Sequence, residues 1–229
     1  MKKKSASLVF NIGLPVFIVL ARAKASFMRR DLVEFEKYGV TEDSIDSLDS
    51  MITEFEAIPT DEELVGDQVI ATQAKDAQAE KVKGILGAIM TRVRNKFGAH
   101  SGEYRKFGVG EIATLDGGKL GYTAARAHRV AVTYLPQLMS EGLTQEMLTD
   151  FDTQIKAFNT RLGAQEDAIS DRDIATENRA AKANAIYSLL VKYCDTGKRI
   201  WASTNEAKYN DYVIYDTPTG SPEEGLPAA

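Results

Sequence analysis

The sequence repeats itself once, and that repeat constrains the fold more than any single motif. Gly39-Val40-Thr41-Glu42-Asp43 returns as Gly142-Leu143-Thr144-Gln145-Glu146 at an offset of 103 residues. At the same offset Ile45, Leu48, Asp49, Ile52 and Phe55 meet Leu148, Phe151, Asp152, Ile155 and Phe158. With one residue inserted, Ala21-Arg22-Ala23 matches Ala125-Arg126-Ala127, and Asp67, Ile70, Ala71 and Thr72 match Asp171, Ile174, Ala175 and Thr176. The match continues from Ala77, Ala79, Val82, Ile85, Leu86 and Phe97 to Ala181, Ala183, Ile186, Leu189, Leu190 and Trp201. A period of this length marks two copies of one supersecondary unit.

Apolar spacing makes both copies helical. A first helix over residues 14–38 carries Val16, Leu20, Ala23, Phe27, Leu32 and Phe35; its counterpart carries Leu120, Ala127, Ala131, Leu135 and Leu138. Gly39 and Gly142 follow the last apolar turn, where a left-handed residue ends a helix, and Thr41 and Thr144 then stand as N-caps. A short amphipathic helix follows, with Ile45, Leu48, Ile52 and Phe55 in one copy and Leu148, Phe151, Ile155 and Phe158 in the other. Thr60 and Glu63 form a capping box that opens a long third helix, with a stripe of Ile70, Ala74, Ala77, Val82, Ile85, Leu86, Ile89, Met90, Val93 and Phe97. The second copy offers Ile174, Ala181, Ala185, Ile186, Leu189, Leu190, Tyr193, Cys194 and Trp201. Aromatic extensions without helical spacing follow each long helix: Tyr104, Phe107 and Val109, then Tyr209, Tyr212, Ile214 and Tyr215.

The expected fold is all-α, an internally duplicated bundle with pseudo-twofold symmetry and about six helices, two of them long. Residues 1–13 form an apolar N-terminal segment, 14–113 the first repeat, 114–118 a linker, 119–216 the second repeat and 217–229 a disordered tail. Both repeats are expected in one globular body, with two shorter helices of each copy packed on its own long helix. Leu86 and Leu190 then share one continuous core.

The layout of a Gly-x-Thr turn before a short helix, followed by an alanine-rich long helix, resembles duplicated all-helical bacterial proteins of unknown function. The resemblance covers most of the chain; it supports the fold and implies no activity.

Chemistry-bearing patterns are sparse. A net charge of −5 argues against nucleic acid as a partner, and Arg92, Arg94 and Lys96 complement the end of a helix instead. The single cysteine, Cys194, excludes an intrachain disulfide and a cysteine-based zinc cluster; standing opposite Met90, it reads as core. No Glu-x-x-His occurs, so the di-iron bundle pattern is missing. His128 aligns with Lys24 and is therefore expected at the surface, and His100 suits a helix C-terminus. Gly84 and Gly87 are expected at a close helix contact, since no phosphate-binding glycine motif surrounds them. The acids Asp43, Asp46, Asp49 and Glu54 lack the spacing of a calcium loop. Asp49/Asp152 and Asp67/Asp171, identical in both copies, are expected to pair with Arg22/Arg126. No catalytic, cofactor-binding or metal-binding residue is assigned.

The N-terminus admits two readings. Lys2-Lys3-Lys4, an apolar run from Leu8 to Leu20 and Ala21-Arg22-Ala23 spell an export signal through residues 1–23. The internal twin of Ala21-Arg22-Ala23 favours a native helix, hence a cytoplasmic protein without an integral membrane span. Leu8, Val9, Phe10, Ile12 and Leu14 have a much more polar counterpart around Gly110 to Leu120, which nominates them as a self-association surface. The leading function is a non-catalytic structural or assembly protein that binds itself or another protein. The alternative is a module binding a small apolar ligand or peptide between the repeats, lined by Tyr104, Phe107, Tyr209, Tyr212 and Tyr215.

Overall fold

A computed structural model describes residues 7–215. The lysine triplet and the tail from 217 onward lie outside the described residues. Those described are all-helical, with no strand among them. The helices are α1 (Leu14–Arg30), α2 (Leu32–Glu36), α3 (Glu42–Glu56), α4 (Asp61–Phe97), α5 (Gly102–Phe107), α6 (Gly117–Leu138), α7 (Gln145–Trp201) and α8 (Glu206–Asn210). Among the described residues no helix is long and apolar enough to cross a membrane.

Local chemistry places the breaks. Gly39 (φ 75°) and Gly142 (φ 79°) adopt the left-handed conformation that a side chain would strain. Thr41 and Ser44 form a capping box on α3, and Thr60 and Glu63 form one on α4, where Glu63 accepts from the Thr60 amide at 2.6 Å. The Thr144 hydroxyl accepts from the Met147 amide at 3.2 Å. The expected first helix is broken at Asp31, which separates α1 from α2. The aromatic extensions, expected to be irregular, coil into α5 and α8, capped by Ser101 and Asn205.

The chain forms two compact units. Of the described residues, one comprises 7–59 and 175–215, the other 60–174. The first therefore contains α1, α2, α3, the C-terminal part of α7 and α8. The second contains α4, α5, α6 and the N-terminal part of α7. This replaces the expected single core. Leu190 is buried with Phe17, Ile45, Leu48 and Ile52, whereas Leu86 is buried in a separate core with Leu120, Leu148 and Phe151. Nor does either copy pack its short helices on its own long helix. Pro59-Thr60 ends one helix and starts another in the first copy; no proline interrupts α7, and an unbroken helix cannot fold back on its own first half.

Burial follows a simpler register than residue identity suggests. Phe17, Ile18, Ala21, Lys24, Met28 and Phe35 are buried, and so are Leu120, Gly121, Ala124, Ala127, Ala131 and Leu138, each 103 positions later. Ala21 is buried like Ala124, 103 positions on, whereas Ala125, matched to it by residue identity, is half-buried. Further on the offset is larger by one. Ala79, Val82, Leu86, Ile89, Met90 and Val93 are buried with Ala183, Ile186, Leu190, Tyr193, Cys194 and Gly197 at an offset of 104. Phe107 and Tyr212 are both fully buried. Several expected stripe positions differ: Ile85 and Leu189 are half-buried, Ala77 and Ala181 are exposed, and Val16, Ile70 and Ile174 are 65%, 66% and 55% exposed.

Candidate functional site

The most elaborate polar cluster centres on Asp31, a carboxylate with no solvent-exposed side-chain surface. Asp31 lies between α1 and α2, so Arg30 reaches it from the last turn of α1. Arg30 donates from Nη2 at 2.8 Å and from Nε at 3.1 Å. Lys208 of α8 donates from Nζ at 2.7 Å, and the Tyr212 hydroxyl donates at 2.9 Å. Arg30 Nη1 also bridges to the Asp211 carboxylate at 2.8 Å. Burial by itself would raise the Asp31 pKa; the donors from Arg30, Lys208 and Tyr212 outweigh it and hold the group at about 2. Burial and the adjacent carboxylate push the Tyr212 hydroxyl well up.

Lys24 supports the same segment from below. It is only 5% exposed, and its ammonium donates to the carbonyls of Asp211 and, at 2.9 Å, Val213. These carbonyls end α8, where a cation complements both the free acceptors and the helix dipole. Burial lowers the Lys24 pKa and raises that of nearby Cys194 to about 11. The expected surface position for Lys24 is thus wrong. With Phe17, Ala21 and Met28 it occupies one helical stripe, and that spacing is the signal that an exchange with histidine concealed. His128 is half-buried, its ring edge-on to Phe151 at 6.1 Å.

The other unit closes in a similar way. Arg126 Nε donates to the Phe107 carbonyl at 3.1 Å and Nη2 donates to the Gly108 carbonyl. Arg126 therefore ends α5 and, among the described residues, does not pair with an aspartate. Arg22 pairs chiefly with Glu56, and Asp49 pairs with Arg29, with Arg22 Nη1 at 3.9 Å. Asp152 pairs with Lys156 at 2.6 Å, and Asp67 and Asp171 are exposed. Gly87 faces the Ile112 side chain of the chain segment before α6, and Gly84 faces open space; neither marks a helix–helix contact.

No known protein-family model, curated protein or solved structure matches this chain. Its own geometry therefore carries the reading.

The nominated residues serve mainly to close cores. Phe10 is buried, stacked on Tyr187 at 4.7 Å and tilted against Phe17 at 4.4 Å. Asn184 pins the segment: its Oδ1 accepts from the Val9 amide and its Nδ2 donates to the Ser7 carbonyl, both at 2.9 Å. Ile12 and Leu14 pack against the same core, Leu8 lies at the surface and Val9 is 65% exposed. In the other unit Val109, Ile112 and Leu115 pack before α6 in the same manner, so the apparent lack of an apolar counterpart disappears. Tyr104 and Tyr209 are half-buried, and Phe107 and Tyr212 fill cores. Tyr215 is 40% exposed and meets the Tyr187 hydroxyl at 3.3 Å, an interaction that, with burial, raises the Tyr187 pKa to about 12.

A different surface has few such duties. In α4 no residue from 61 to 77 is buried, and in α7 none from 159 to 174. These stretches run antiparallel. Arg172 Nε meets Asp61 Oδ1 at 2.8 Å near one end, and Gln165 Nε2 donates to Thr72 Oγ1 at 3.0 Å further along. Exposed beside their seam are Val65 (37%), Val69 (49%), Ile70 (66%), Ile169 (41%) and Ile174 (55%).

Proposed function

We propose that the protein is a non-catalytic structural protein, built by internal duplication, that docks a protein partner on the two-helix stretch of α4 and α7. The duplication is supported by the register of burial, since positions 103 to 105 apart occupy equivalent places in the two units. Each unit then joins the short helices of one copy to the long helix and aromatic extension of the other. The absence of a reactive assignment is supported by how the strongest polar groups are used. Asp31, Lys24 and Arg126 each have their hydrogen-bonding capacity directed into closing a unit.

The single observation that carries docking is the uncovered apolar row. Two helices of about five turns, with no buried residue among them in these stretches, bury too little surface to be rigid alone, and a third helix laid on them removes Val65, Val69 and Ile169 from water. Hydrogen–deuterium exchange of the isolated chain tests this. Amides of residues 61–77 and 159–174 are expected to exchange at least about tenfold faster than those of 82–93 and 148–158. Equal protection of both sets sinks the reading, because the stretch is then already covered.

A further inference from the structure

The surface on α4 and α7 is not merely apolar; its charge selects a partner. We infer that it takes a basic amphipathic helix, with an apolar row flanked by lysine or arginine, and not a second copy of this chain. The inference rests on the docking reading above. Val65 and Val69 stand one turn apart on α4 and line, with Gln68, Thr72, Gln73 and Arg172, a shallow groove of about 340 Å³. Ile169 lies one turn before Arg172 on α7, so it extends the apolar row across the seam. Anchors separated by three or four residues on an incoming helix match this spacing.

Charge decides between occupants. Residues 61–77 and 159–174 hold nine carboxylates against three cations, an excess larger than the net charge of −5 for the whole chain. Two of the cations are engaged: Arg172 with Asp61 and Lys75 with Asp76. Glu62, Glu166 and Asp173 are exposed around the apolar row. A second copy laid on the same face doubles the carboxylate excess within one bundle, and like charges so juxtaposed oppose association. A helix with lysines flanking its apolar row meets the valines with its apolar face and the rim with opposite charge. Its lysine stems also cover apolar surface while the ammonium groups stay wet.

The test uses the full chain and a fluorescently labelled synthetic leucine/lysine amphipathic peptide of about 18 residues, which spans the roughly 25 Å of the two-helix stretch. The comparison peptide keeps the leucines and replaces each lysine with glutamate. Anisotropy titrations at about 50 mM salt are expected to show the lysine peptide binding at least tenfold more tightly, with loss of most of that advantage at about 500 mM. The double variant V65S/V69S, at exposed positions and checked for an unchanged melting curve, is expected to weaken binding about tenfold. V132S, at an exposed site on α6, is expected to leave it unchanged. Equal binding of both peptides, sensitive to V65S/V69S, overturns the charge inference and leaves docking standing. Failure of both peptides with a concentration-dependent dimer that V65S/V69S dissolves identifies the second copy as occupant. Failure of both with a monomer at all concentrations overturns the docking reading itself, as does binding indifferent to V65S/V69S.

Discussion

Gly197 and Tyr212 are in direct face contact: a β-carbon on Gly197 would stand 2.4 Å from the ring of Tyr212. The glycine sits inside α7, where alanine is intrinsically the better helix former by about 1 kcal/mol. The ring has no room to yield, because Tyr212 is fully buried and its hydroxyl is tied to Asp31. The steric effect therefore exceeds the helical gain. Gly197→Ala is expected to destabilise the unit by a net ~1–3 kcal/mol in denaturant unfolding. A neutral or stabilised variant shows that α8 is not held in this way.

Two separate cores predict two separable responses. Trp201 is the only tryptophan, and it packs against the core that contains Leu190. Leu190→Ala is expected to shift the tryptophan-fluorescence transition to lower denaturant, at a cost on the order of 2–5 kcal/mol. Leu86→Ala is expected to act first on helicity followed by circular dichroism, with a smaller shift in fluorescence. Identical displacement of both signals by both variants means that the units unfold as one.

Most of the secondary structure was legible because it depends on short-range chemistry. Gly39, Gly142, Thr41 and Thr60 mark helix ends by conformational or hydrogen-bonding needs that any tertiary setting leaves intact. The partnership of helices was not legible. Ile52 and Ile155 announce buried faces, yet an apolar stripe does not state which other stripe covers it. Alignment with His128 predicts an exposed Lys24, whereas its place on the stripe of Phe17, Ala21 and Met28 buries it. Asp31 had no motif, since its donors Lys208 and Tyr212 come from positions far along the chain. Apolar side chains predict Ile70 and Ile174 in a core, yet the fold leaves more than half of each exposed.

The Asp31 cluster predicts an acid limb in stability. Its folded pKa of about 2 lies below the ordinary aspartate value of about 3.9, so the folded state favours the carboxylate. The stability it contributes is fully present above about pH 4 and is lost as pH falls toward 2. Asp31→Asn removes this dependence along with the buried charge that Arg30 and Lys208 compensate. It is expected to cost on the order of 2–4 kcal/mol at neutral pH and to flatten the unfolding midpoint between pH 4 and 2. A variant that keeps the full acid limb assigns it to other carboxylates.

The N-terminal segment gives the last prediction, and here burial and hydrogen bonding point the same way. Phe10 bridges Phe17 and Tyr187, and Asn184 fixes the backbone on either side of Leu8 through two hydrogen bonds. The segment is thus part of its own unit, and deleting residues 1–13 leaves a cavity where the ring stood. The expected loss is ~3 kcal/mol in the Trp201-reported transition, from a buried aromatic and its ring contacts. Sedimentation is expected to show the same oligomeric state before and after deletion. Asn184→Ala isolates the pinning bonds; it is expected to cost ~1 kcal/mol and to speed proteolysis within residues 7–12. A cut after Ala23 goes further, removing Phe17, Ile18 and Ala21 from the core, and is expected to unfold this unit while helicity in residues 60–174 persists. A deletion of 1–13 that melts like the intact chain but loses assembly assigns the segment to a neighbouring subunit instead.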